Sequence, residues 1–240
     1  MTDIETLQSW IDEAKRIVFF GGAGVSTESG VPDFRSQDGL YRQQWKYPPE
    51  TILSHSFFER NTEAFFEFYR AKMLPLEVQP NAAHRKLAEL EQAGKLTAVV
   101  TQNVDGLHQA AGSKNVWELH GSVHRNYCTR CGKFFDAAHM KNTPGVPRCT
   151  CGGVIKPAVV LYEESLDSGV LEGAVRAIAE SDLLLVGGTS LNVYPAAGLI
   201  RYFGGKHTVL LNRDATSYDD RAELILREPI GQVLSQIKVR

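Results

Sequence analysis

No apolar run in this 240-residue chain approaches the ~18 residues that a membrane span needs. Cysteine is scarce: four residues are too few for a disulfide scaffold, and their clustering points to a metal instead. Neither sign of charge is in excess. Twenty-six Lys and Arg face 28 Asp and Glu, a net charge of −2. No whole-chain basic field exists to hold nucleic acid, so direct nucleic-acid binding is not expected, although a local patch stays possible. The first residues, Met1-Thr2-Asp3-Ile4-Glu5, carry acids and no basic stretch. That argues against a secretory signal and makes the cytoplasm the expected location. Internal repeats and low-complexity tails are also missing. With 43% hydrophobic and 22% charged residues, disordered, collagenous and coiled-coil classes are excluded. The length suffices to bury a core without staples, as one large domain or a large one with a small insert.

What is present reads as alternating helices and strands. Ile4, Leu7, Ile11 and Ala14 recur at helical spacing, which predicts an amphipathic helix over 3–15. Ile17-Val18-Phe19-Phe20 reads as a short buried strand. Residues 97–101, 116–119, 183–186 and 208–211 read likewise, with a weaker strand at 223–226. These runs are continuously apolar, as parallel strands covered on both faces should be. Between them, Asn81 caps a helix that Gly94 ends, 168–180 forms another, and Pro195 opens one that Gly204 closes. The expected fold is α/β, a doubly wound, mostly parallel, Rossmann-like sheet. Two stretches break the alternation. Residues 35–78 are rich in aromatics and look helical around a Pro-Pro break, and 122–156 hold all four cysteines. Both read as insertions forming a smaller domain, a helical insert plus a zinc ribbon. Residues 1–34, 79–121 and 157–240 then make the nucleotide-binding domain.

The chemistry-bearing residues sit at strand ends. Gly22-Ala23-Gly24 follows the first strand and precedes a helix start, an arrangement that lets backbone N–H groups approach a pyrophosphate. Thr27 stands where the third glycine of the dinucleotide fingerprint would be, and a plain tight turn would look the same. Gly187-Gly188-Thr189-Ser190 follows another strand, and Asn212 ends a third. Three polar tips along one sheet edge favour a nucleotide crevice. Thr101-Gln102-Asn103-Val104-Asp105-Gly106-Leu107-His108 and His120-Gly121 follow two further strands. His120 titrates near neutrality and can take a proton from a hydroxyl, although a histidine in such a place is more often structural. His84 and His108 read as hydrogen-bonded packing residues. Cys128-x-x-Cys131 and, seventeen residues on, Cys149-x-Cys151 form a zinc-ribbon pattern. Four sulfur ligands leave no open position, so one zinc ion per chain would be structural.

The run from Gly22 to Arg35, Gly-Ala-Gly-Val-Ser-Thr-Glu-Ser-Gly-Val-Pro-Asp-Phe-Arg, resembles the signature of the sirtuins, NAD-dependent protein deacylases. Thr101–Asp105, His120-Gly121, the two cysteine pairs, Gly188–Leu191 with Val193–Ala196, and Leu211-Asn212 match the other family motifs in order. The resemblance covers essentially the whole chain, and its length is similar to that of a compact bacterial member. Three departures stand out. Gly21 replaces a usual threonine, the second cysteine pair is one residue short, and Glu163 replaces the glycine of a usual Phe-Gly-Glu.

The resemblance implies a reaction of NAD with an acyl-lysine protein or peptide that releases nicotinamide and O-acyl-ADP-ribose. Nicotinamide would also be a product inhibitor. Ala23, Thr27, Phe34, Arg35, Gln102, Val104, Asp105, Gly188, Thr189, Ser190, Asn212 and Ile230 would bind NAD. His120 would be the general base and Asn103 would stand beside the ribose. Val160, Tyr162, Glu163, Glu164, Val193 and Tyr194 would bind the substrate as an extended strand, by backbone pairing that accepts many sequences. The acidic pair Glu163-Glu164 reads as a solvated surface pair, with selection of basic flanks as the alternative. Relatives that remove succinyl or malonyl groups carry Tyr-x-x-Arg in the helical insert. Here Tyr69-Arg70-Ala71-Lys72 puts a lysine, without the bidentate fork, in the last position. Tyr69 and Lys72 could share a face, but Lys72 is expected to reach solvent and neutral acyl groups such as acetyl are favoured. Two other classes stay open: an NAD glycohydrolase or ADP-ribosyltransferase, and a non-catalytic NAD- or zinc-dependent module.

Overall fold

A computed structural model of the chain describes residues 2–34, 39–42 and 45–239. Its strands are β1 (Ile17–Gly21), β2 (Leu96–Thr101), β3 (Val116–Glu118), β4 (Gly121–Cys128), β5 (Phe134–Phe135), β6 (Ile155–Val159), β7 (Leu183–Gly187), β8 (His207–Leu211) and β9 (Leu224–Leu226). Its α-helices are α1 (Asp3–Glu13), α2 (Pro49–Ile52), α3 (His55–Arg60), α4 (Thr62–Lys72), α5 (Ala82–Gln92), α6 (Leu107–Ala110), α7 (Ala137–Asn142), α8 (Ser168–Glu180) and α9 (Ile230–Ser235).

Six strands form one sheet in the order β3-β2-β1-β7-β8-β9, every pair parallel. The apolar runs explain it, since both faces are covered. Ile17 and Phe19 point into a core with α1, α5 and α9, through Leu7, Ile11, Leu87 and Val233. Val18 and Phe20 point the other way, onto Ala174 and Ile178 of α8. Each fully buried side chain of this size is worth roughly 1.5–3 kcal/mol. The strand order reverses between β1 and β7, so the crevice of this doubly wound sheet opens beyond their carboxyl ends. There Gly21 pairs with Gly187.

The remaining strands form a small antiparallel sheet, β5-β4-β6. It shares one hydrophobic cluster with the helices of the aromatic-rich stretch: Phe57, Phe58, Phe65, Phe66, Phe68 and Tyr69 pack with Val123, Ile155 and Val159. Pro48 and Pro49 mark a helix start, as N-cap and first residue of α2, where a missing N–H costs nothing.

Two local expectations are corrected. The glycine loop leads into two single 3₁₀ turns, Ala23–Val25 and Thr27–Ser29, and into no α-helix. Gly24 N donates to Gly188 O at 2.8 Å, which holds the loop down on β7, and Pro32 follows too soon for a helix to propagate. The stretch after Pro195 is likewise a 3₁₀ helix, Ala196–Tyr202, capped by Phe203 before Gly204 is reached.

Candidate active site and metal module

The carboxyl ends of β1, β2, β7 and β8 open into a cavity of about 770 Å³, with the small sheet and its helices on the far side. Ala23, Thr27, Phe34, Gln102, Asn103, Val104, Asp105, His120, Gly188, Thr189, Ser190, Asn212 and Ile230 all line it. So do Val160, Tyr162, Glu163, Glu164, Val193 and Tyr194. Arg35 lies outside the described residues.

Local geometry explains the convergence. A Cβ on Gly24 would stand 2.8 Å from Gly188 Cα, and Gly188 itself holds φ at +59°. Glycine at both places lets the loops after β1 and β7 meet back to back. Without an α-helix behind the loop, a bound anion would be held by successive backbone N–H groups, not by a macrodipole. Gln102 Nε2 donates to Thr189 Oγ1 at 3.1 Å, tying the tip of β2 to that of β7.

The cavity floor is a largely buried polar cluster. Ser26 is 1% exposed, and its hydroxyl donates to Asp105 Oδ2 at 2.7 Å. Asn103 Nδ2 donates to Ser26 Oγ at 3.1 Å, and the other Asp105 oxygen accepts from Leu107 N. His84 Nδ1 accepts from Asn81 N, so its Nε2 carries the proton and faces Ser26 Oγ at 3.5 Å. A buried carboxylate is tolerable only when paired in this way. Ser26 and the reach of His84 were missed at the level of sequence. The only signal was a hydroxyl inside the glycine run.

His120 Nδ1 donates to the carbonyl of Gln102 at 3.0 Å. That leaves Nε2 as the nitrogen with a free lone pair. Burial lowers its pKa below the usual 6.5, and the Gln102 carbonyl only partly restores it. The ring is therefore neutral near pH 7 and able to accept a proton. Burial brings His84 down to about 4 and also holds His108 well below the usual 6.5. His108 packs edge-on to His84 at 4.8 Å, but among the described residues nothing hydrogen-bonds either of its ring nitrogens, so only half of the reading as a hydrogen-bonded packing residue stands.

Three further readings are revised. Lys72 does not simply reach solvent: it lines the cavity beside Met73 and Pro75, with its ammonium 6.0 Å from the Trp45 ring centre. Tyr69 does not join it, being fully buried and stacked on Phe65. Glu163 and Glu164 are not a freely solvated pair. Glu163 binds Ser56, while Glu164 binds His55 Nδ1 at 2.8 Å, Lys156 Nζ and Leu161 N. Carboxylates already engaged by cations and N–H groups are poorly placed to select basic flanks.

The four cysteines come together away from the cavity, and none lines it. Cys128 ends β4, and the turns after each pair close at Gly132 and Gly152, both at positive φ. All four Sγ atoms lie within 4.8 Å of one another, with Cys128 and Cys151 at 3.4 Å and Cys131 and Cys149 at 3.7 Å. Tetrahedral zinc with Zn–S ≈ 2.3 Å needs sulfurs ~3.8 Å apart, so the set fits zinc despite the shortened second pair. A zinc ion held by these thiolates supplies a crosslink between β4 and the loop before β6, remote from the chemistry.

The Sir2 family profile matches residues 22–195. The NAD-dependent protein deacetylase of Clostridium acetobutylicum is 58% identical over 238 residues, covering 98% of this chain and 97% of the relative. A solved Sir2 homologue in complex with NAD superposes with a TM-score of 0.87 at 38% identity, over 97% of this chain and 91% of that one. A Sir2 variant with a deacetylated p53 peptide and 3′-O-acetyl-ADP-ribose gives 0.89 at 36% identity, over 98% and 97%. Likeness of this extent, running from end to end of the chain, makes it a member of the Sir2 family.

Proposed function

We propose that the protein is an NAD-dependent protein-lysine deacetylase that transfers the acyl group to ADP-ribose and releases nicotinamide. NAD, when bound, supplies the scissile nicotinamide–ribose bond and the acyl acceptor. The rest is the work of this chain's residues. The loops at Ala23–Thr27 and Gly188–Ser190 would cradle the pyrophosphate, with Asn212 and Ile230 on the adenosine side. Phe34, Val104 and Asp105 would close around the nicotinamide and keep water out, and Ser26 holds the Asp105 carboxylate in place. Asn103, fixed by Ser26, would position the ribose. His120, neutral and with only Nε2 unengaged, would take the proton of a ribose hydroxyl. Positioning of this kind can contribute ~7–11 kcal/mol, and a general base about 10²–10⁴-fold.

The supporting observation is the placement of His120, its Nδ1 engaged and its pKa lowered, in the same cavity as the Asn103–Ser26–Asp105 cluster. In this reading residues 1–34, 79–121 and 157–240 hold NAD, and 35–78 with 122–156 cover it. Acyl-lysine peptides are the substrates, nicotinamide inhibits as a product, and the cytoplasm is the place of action. No helix among the described residues is long and apolar enough to cross a membrane. The test is product analysis with NAD and an acetyl-lysine peptide. Nicotinamide, deacetylated peptide and O-acetyl-ADP-ribose should form in equal amounts, and His120→Ala should abolish turnover while NAD still binds. Free ADP-ribose with the peptide left acetylated would show a glycohydrolase instead.

A further inference from the structure

The segment from Leu161 to Glu164 is stitched to the start of α3 on one side only. Tyr162 spends both backbone groups there: its N–H donates to Leu53 O at 3.0 Å, and its carbonyl accepts from His55 N at 2.9 Å. Glu164 adds its contacts to His55, Lys156 and Leu161 N. Glu163 lies between them with φ at +77°, in the left-handed region that disfavours a side chain. What offsets that strain is visible. One carboxylate oxygen accepts from Ser56 N at 2.8 Å and the other from the Ser56 hydroxyl at 2.9 Å. Meanwhile no described residue pairs with the backbone N–H or C=O of Glu163 itself. The side chain is thus fastened to the helical insert, and the main chain is left open at the cavity edge.

We infer that Glu163 is a positioning residue for the protein substrate: its carboxylate, anchored on Ser56, holds its own open peptide groups ready to pair with an extended acyl-lysine segment. This rests on the deacetylase reading. A glycine at 163 would adopt the same φ without strain but would leave the segment unfastened, so ordering it would fall to each binding event. The anchored glutamate makes that cost part of folding.

Two measurements test this on the full-length, zinc-loaded protein: Kd for a fluorescent acetyl-lysine peptide by anisotropy, and KM for peptide and for NAD in turnover. Glu163→Gly should weaken peptide binding and raise peptide KM about threefold or more, with KM for NAD unchanged. Relief of strain offsets the lost hydrogen bonds, so its Tm should stay near that of the parent. Ser56→Ala keeps the backbone donor and loses only the hydroxyl, so it should shift peptide Kd in the same direction by less. Unchanged peptide Kd in Glu163→Gly overturns the inference, as does a loss of Tm with no split between the two KM values, the mark of a merely structural role. A parent protein that binds the peptide and transfers no acyl group would overturn the assigned reaction, while the Kd comparison would still decide the role of Glu163.

Discussion

Mild acid should destabilise this fold through two histidines that never touch solvent. His84 and His108 are buried ring against ring, and burial favours their neutral forms. With pKa values depressed in the folded state, the unfolded chain binds more protons. Stability is therefore complete above the unfolded value of 6.5 and is lost as pH falls toward the folded values. For His84, moving from 6.5 to about 4, acidification from about pH 7.5 to about pH 5 removes ~2 kcal/mol. His108 and His120, also lowered by burial, act with the same sign, while His55, raised by its hydrogen bond to Glu164, acts in the opposite sense. At roughly 2–4 °C per kcal/mol for a chain of this size, His84 alone should lower Tm by about 4–8 °C. The assay is thermal unfolding at both pH values with zinc in excess. The decisive variant is His108→Phe, which keeps a flat aromatic ring, slightly larger than imidazole, and forfeits no hydrogen bond to a described residue. Set against its own Tm at pH 7.5, it should lose clearly less on acidification than the parent does. A parent Tm that is the same at both pH values, or an identical loss in His108→Phe, would refute the reasoning.

Ser26→Ala should leave Asp105 Oδ2 and Asn103 Nδ2 short of a partner in a buried site, costing ~1–3 kcal/mol; unfolding and turnover together check it, and a variant with parental Tm and kcat would contradict the role of the cluster. Metal analysis should find one zinc per chain, and Cys128→Ser should remove it, with loss of Tm centred on the small sheet; a metal-free protein of full stability would be the contrary result. Acetyl-lysine peptides should be turned over more efficiently than succinyl-lysine peptides, because a lysine point charge lacks the bidentate fork that would grip a succinyl carboxylate. Since Lys72 nonetheless lines the cavity, Lys72→Ala should widen that ratio by about two- to fivefold, as a partly exposed ion pair allows; kcat/KM for both peptides decides it, and a parent preferring succinyl would reverse the argument.

Residue patterning alone made the elements legible, and with them the edge on which the site is built. Short continuous apolar runs bounded by turn residues read as strands covered on both faces, and a polar or glycine residue ending each run marks the carboxyl edge. Cysteine spacing likewise identifies a metal module, because ligand geometry is local. What depends on partners far along the chain becomes visible only in the folded molecule. The pairing of Ser26 with Asp105 spans 79 residues and that of Glu163 with Ser56 spans 107, and no periodicity encodes either. The direction of Lys72 is of the same kind. Three positions on from Tyr69, Lys72 is the last residue of α4, and spacing alone does not say which groups each side chain meets. There the side chain follows the cavity wall, while Tyr69 stays in the aromatic core. The glycine loop shows the limit most plainly. Its composition announces a helix start, but a backbone hydrogen bond to Gly188, more than 160 residues away in sequence, holds it in 3₁₀ turns and gives the cavity its floor.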